Sequence, residues 1–185
     1  LNRANFSNLT FKEKIDFTLF KFGDYCLFES TIFNSMVNFD TFVFDNTINF
    51  KNAKFCQHVN FNSSKFKNVD FGNAEFKDSV DFRKVIFEGF VSFHDAVFKY
   101  VYFESTKFLE YVDFQFSTFK SSIKFSDVVF NSTSNFNMVT FSGPLQLNKV
   151  EFLGDVVFKG ALFPYGTIFS NTLFKNEVNF EGGEW

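Results

Sequence analysis

The sequence predicts an all-β solenoid, a tube of short strands wound around an axis filled with phenylalanine. Three observations carry that expectation. Phe occurs 36 times in 185 residues, against one Trp, two Met and two Pro. It recurs every five or six residues, and a small or apolar residue usually sits two places before it. A mixed core has no use for such a bias, which marks one structural position used again and again.

The Phe spacing defines the ladder. From Phe6 to Phe180 there are 33 rungs, all Phe except Leu147, separated by 18 intervals of five residues and 14 of six, usually alternating, so the true period is eleven. Phe66 to Phe71 and Phe98 to Phe103 use five where six is due. The alternation then resumes in phase, as expected of a deletion in a corner.

Strands follow from the second residue. Ala4, Ile15, Cys26, Val37, Val59, Val80 and Val112 each lie two places before a rung, and spacing by two on one side is strand geometry. The residue between is mostly polar, as in Val69-Asp70-Phe71 and Val59-Asn60-Phe61, so each unit points two side chains in and one out. An eleven-residue period split five and six does not keep these pairs on one helical face. Asn, Asp, Ser, Gly and Lys fill the gaps with turn chemistry. Units after a six-residue link read Val/Ile-Asp/Asn-Phe, and those after a five-residue link read small-variable-Phe, as in Ala53-Lys54-Phe55. Two alternating classes imply an even number of sides.

The V-D-F-x-x-A-x-F cadence resembles the Phe-centred subtype of the pentapeptide-repeat family over about residues 4 to 180, and residues 1–185 read as one domain of that kind. The resemblance implies a right-handed quadrilateral β-helix with four units per coil and the central residue inside. The six-residue link departs from the family pattern: it makes each coil about 22 residues and should put bulges at two of the four corners. Thirty-three rungs on four sides give about eight coils, and strands about 4.8 Å apart make a rod of roughly 40 Å.

Chemistry is sparse. Net charge is −3, from 18 basic and 21 acidic residues, so direct nucleic-acid binding is not expected. Cys26 and Cys56 match no CxxC spacing, which argues against a disulfide framework or a zinc site and fits a reducing, cytoplasmic compartment. No apolar run approaches the roughly 20 residues that span a bilayer, and no signal-peptide layout opens the chain, so no membrane role is expected. A chain that opens on Leu1 is expected to lack residues upstream. His58 and His94 fall between rungs and read as solvent-facing turn residues. Cys26 takes an inward slot as a small hydrophobe, and Cys56 lies outside. No nucleophile, base and orienter converge. Catalytic residues, cofactors and metals are therefore not expected, and a filled rod offers nothing concave for an enzyme.

The outer faces remain. Asp16, Asp70, Asp81 and Asp113 share the outward slot, and the family resemblance implies a DNA-mimic modulator of DNA gyrase or topoisomerase as one function. Asn38, Asn49, Asn60, Asn135, Asn179 and Lys124 interleave with these acids, however, as on an ordinary solvated β-face. On the fourth side the outward slot runs Lys21, Val43, Lys65, Ile86, Lys107, Val129, Glu151, Leu173, with Ile32, Val97 and Leu162 on the second side. This alternation is the candidate interaction surface, unless Lys stems simply cover the aliphatics. Gly143-Pro144, just before the one non-Phe rung, should distort the chain locally. Neither Leu1–Ala4 nor Glu181–Trp185 is long enough for a capping helix, and open strand edges recruit other chains. Homodimerisation through uncapped ends, or a longer parent repeat protein, is expected. The sequence thus favours a non-catalytic structural or protein-interaction solenoid of unassigned partner.

Overall fold

A computed structural model describes residues 3–20, 22–23 and 25–185. Among them are 27 short strands and no helix. The strands pair in parallel with their counterparts one coil on, in sheets of 14 and 13 strands. Partners lie 22 residues apart, as Ile15↔Val37 and Thr118↔Thr140 do, or 21 apart where a short link intervenes, as for Lys65↔Ile86 and Val97↔Thr118. The result is a four-sided β-solenoid of about eight turns.

The rungs stack in four columns. Phe6, Phe28, Phe50, Phe71, Phe93, Phe114, Phe136, Phe158 and Phe180 form the first, with ring centroids 4.8–5.2 Å apart. The other three start at Phe11, Phe17 and Phe22. Across the tube the rings meet edge to face, as in Phe61–Phe71 at 72° and Phe71–Phe82 at 70°. Parallel stacks along the axis and edges across it keep the negative ring faces off one another. Mid-rod rungs such as Phe61, Phe71 and Phe93 are wholly buried, each burial contributing about 1.5–3 kcal/mol before entropy.

The two link lengths make different corners. The five-residue links turn sharply, and in those that follow the first column the rung carbonyl accepts from the amide three residues on, as in Phe50 O with Ala53 N at 3.0 Å and Phe71 O with Ala74 N at 3.0 Å. The second residue after the rung is left-handed: 14 non-glycine residues there have φ of 51–60°. Asn8, Asn52 and Asn73 suit that region, whereas Phe116 and Met138 meet a steric penalty. Corner bulges, expected at two of the four corners, show among the described residues only where a six-residue link lies beside a short one. Register shifts occur between Phe66 and Asn68, facing Phe44 and Thr47, and between Phe76 and Ser79, facing Phe98 and Tyr100. The deletions at Phe66–Phe71 and Phe98–Phe103 are thus absorbed inside corners, and the columns stay aligned.

The distortion expected at Gly143-Pro144 is absent. Ile123↔Leu145 through Ser126↔Asn148 pair without a register shift. Pro144 occupies a column that supplies carbonyls to the ladder, accepting from Ile123 N at 3.0 Å as His58 O accepts from Val37 N, so its missing N–H leaves that ladder intact. Leu147 keeps its inward place between Phe125 and Phe169. A narrow apolar gap too small for water adjoins it, walled by Phe125, Phe141, Phe152 and Phe158. The ladder also runs past Phe180: five residues on, Trp185 takes the next place in the second column, its ring 4.2 Å from that of Phe163.

Two substitutions on one ladder should move in opposite directions in chemical denaturation. Phe71→Ala, mid-rod, should lose about 3–5 kcal/mol; Leu147→Phe, which completes the third column, should gain about 0.5–2 kcal/mol. A Phe71→Ala variant that unfolds with the parent would contradict the packing described.

Candidate interaction surfaces

The outward Asp and Asn residues of the first and third sides have structural work. Each accepts a hydrogen bond from the backbone N–H two residues on: Asp16 from Thr18 at 2.9 Å, Asn49 from Lys51 at 2.7 Å, Asp70 from Gly72 at 2.7 Å and Asp113 from Gln115 at 2.9 Å. These Asx turns fix entry into the five-residue corner. An amide oxygen serves as well as a carboxylate, which explains why Asn and Asp interchange down each column. The Thr18 backbone N–H, chief among several hydrogen bonds, holds the Asp16 carboxyl below its ordinary value of 3.8. Asp81 is further closed off, 4% exposed, by a bidentate Arg83 with Nη2–Oδ2 at 2.6 Å.

Inward hydroxyls on the other sides also bond across coils. Thr31 Oγ1 donates to Phe6 O, Ser64 Oγ to Phe39 O and Thr106 Oγ1 to Phe82 O, at 2.6–2.8 Å. Among the described residues Ser117 Oγ alone is a buried side-chain polar atom without a partner.

The histidines are less open than their turn positions imply. Both are half-buried. His58 Nδ1 lies 2.8 Å from Ser79 Oγ, while His94 sits between Asp95 (3.2 Å) and Asp113 (3.4 Å), edge-on to Phe116. Coil stacking brings Ser79 to His58 and Asp113 and Phe116 to His94, residues about 20 apart, whereas Asp95 is the sequence neighbour of His94. Cys26 is buried in its inward slot, and burial pushes its thiol up to about 12; Cys56 is half-buried at a corner.

On the fourth side the alternating residues form one unbroken ladder. Val43 pairs with Lys65, Lys65 with Ile86, Ile86 with Lys107, Lys107 with Val129, Val129 with Glu151 and Glu151 with Leu173. Lys21 lies outside the described residues. Val43 is 51% exposed and Leu173 48%, so the lysine stems leave them open; Ile86 and Val129 are half-buried. Lys65 is turned aside by Glu88 at 2.7 Å, whose hydrogen bond raises its pKa. A groove of about 430 Å³ crosses the lower ladder between Val129, Glu151, Leu173, Asp127 and Lys149.

A second feature escaped the outward-slot reading because it lies on a corner. Lys77, Lys99 and Lys120 each follow a second-side rung, and the same spacing of 21 or 22 residues would have revealed them.

Among the described residues, no helix is long and apolar enough to cross a membrane. Compared with known proteins, a nine-copy array of pentapeptide repeats matches residues 39–86, 61–107 and 136–183, well over half of the chain. No curated protein matches. Solved structures similar to the chain include these two. One is HetL from the cyanobacterium Nostoc sp. strain PCC 7120, described as a pentapeptide repeat protein involved in heterocyst differentiation regulation, at 10% identity, 98% of this chain, 84% of that one and a TM-score of 0.23. The other is a trypsin-treated variant of QnrB1, described as a plasmid-mediated fluoroquinolone resistance protein, at 11% identity, 98% of this chain, 88% of that one and a TM-score of 0.24. At those scores neither superposition bears weight; the repeat match does.

Asp113→Asn should leave stability within about 0.5 kcal/mol of the parent, whereas Asp113→Ala should lose about 0.5–1.5 kcal/mol with its turn hydrogen bond. Equal losses in thermal melts would show that the charge, not the Asx turn, matters there. A thiol reagent should modify Cys56 alone in the folded chain and both cysteines in denaturant, as read by intact mass.

Proposed function

Because the chain belongs to the pentapeptide-repeat family, we propose that residues 1–185 act as one non-catalytic protein-interaction solenoid that docks a protein partner on its fourth side. The observation that carries this reading is the unbroken ladder from Val43 to Leu173, in which aliphatics stand in register along one straight side, Val43 and Leu173 exposed and Ile86 and Val129 half-buried. Stacked rings occupy the inside of the tube, so recognition falls to the outer faces. Extended flat surfaces of this kind are what solenoids offer to partners. Two free thiols support a reducing, cytoplasmic setting.

A DNA-mimic modulator of gyrase or topoisomerase has the family resemblance behind it and little else. The outward acids alternate with amides and serve as turn caps, and a net charge of −3 makes a weak polyanion.

Capture from host lysate by the immobilised chain should recover a protein that the variant Val43→Gln, Ile86→Gln, Val129→Gln does not. Equal recovery by both removes the fourth side as the docking surface. Supercoiling inhibition at micromolar protein would move the assignment to the topoisomerase reading.

A further inference from the structure

A groove of about 430 Å³ runs beside the corner between the second and third sides, lined by Glu75, Phe76, Lys77, Val97, Lys99 and Lys120. Its three lysines are exposed and lie on successive coils, each directly after a rung. Those rungs, Phe76, Phe98 and Phe119, repeat at 5.0 Å. Ammonium groups stacked one coil apart repel each other, and the chain does little to offset this. Lys77 lies 3.7 Å from Glu75, a carboxylate that Lys54 shares at 3.5 Å. Among the described residues neither Lys99 nor Lys120 forms an ion pair. Lys99 Nζ rests over the Tyr100 ring instead, 5.4 Å from its centroid.

The backbone adds to this. Ser79 pairs with Tyr100 across the shortened link, so the slot that holds Asp78 in one coil is missing from the next, and the following coil places Ser121 there. The deletion removes a corner position that carries an acid one coil earlier, and Val97 stands where Glu75 meets Lys77. A positive column thus persists on a chain whose net charge is −3.

We infer that this groove binds an extended acidic polypeptide segment, its carboxylates against Lys77, Lys99 and Lys120 and an aliphatic side chain on Val97. Charge complementarity fixes the sign of the partner. The groove floor and the adjoining rings favour polypeptide over nucleic acid. Val97 and Phe76 supply an apolar floor, and the tyrosines on which bases would stack are already occupied, Tyr100 by Lys99 and Tyr102 by Arg83 at 5.8 Å. Lysine ammoniums on flexible stems suit carboxylates presented at uneven spacing. The groove lies off the fourth side and stands or falls independently of the docking surface proposed there.

Fluorescence anisotropy with a labelled Glu-Val repeat peptide of about ten residues tests it, with a labelled oligothymidylate of similar length alongside. The peptide should bind saturably to the intact chain, and about 0.5 M salt should weaken it by about tenfold or more. The variant Lys77→Glu, Lys99→Glu, Lys120→Glu should weaken it at least as much while keeping the parent's circular dichroism and melting. Lys107→Glu, on the fourth side, should leave the affinity within about twofold. Absence of saturation at millimolar peptide, undiminished binding by the triple variant, or tighter binding of the oligothymidylate would each overturn the inference.

Discussion

Parallel strands joined by backbone hydrogen bonds stand about 4.8 Å apart, and phenyl rings tolerate the same separation when offset-stacked. The fold depends on that coincidence. One coil of backbone advances the axis by one ring, so a Phe at the same place in every coil lands on the Phe before it, with centroids at 5.1 Å for Phe50 and Phe71 and 5.2 Å for Phe71 and Phe93. Link lengths are free to vary only where the ring keeps its place. This is why a residue can be dropped between Phe66 and Phe71 or between Phe98 and Phe103 with no slip of the columns.

The corners also decide what the surface can do. On two sides the outward Asp and Asn residues are spent on Asx turns that hold the tight corners, although Tyr102, Lys124 and Ile168 take the same slot further down the third side. Slots without that turn role lie mostly on the second and fourth sides and at the corners. The exposed aliphatics of the fourth side and the lysine column beside the second lie there for that reason. An acidic residue on this tube is more often a turn cap than a charge offered to a partner, which weakens any reading based on counting carboxylates.

That the sides number four followed from the family resemblance, but the ladder, an even number of sides and the two shortened corners were legible in the sequence because one residue type holds one position at fixed intervals. So was the fourth-side register, since alternate slots follow directly from the rungs. Contacts between side chains were harder to read. The bracketing of His94 by Asp95 and Asp113, and the bidentate Arg83–Asp81 pair, depend on rotamers that no spacing specifies. Pro144 is disruptive by residue type alone, and only the carbonyl-supplying role of its column, which no spacing specifies, makes it harmless. Trp185 keeps the spacing, five residues after Phe180, but breaks the residue type that marks the ladder.

The most direct measurement is a set of ring-to-ring nuclear Overhauser effects in a chain with labelled Phe side chains. Stacked columns should give cross-peaks between rings 21 or 22 residues apart, such as Phe50 with Phe71 and Phe61 with Phe82, as strong as those between successive rungs. Cross-peaks confined to rungs adjacent in sequence, with none across a full coil, would contradict a core built from axial aromatic stacks.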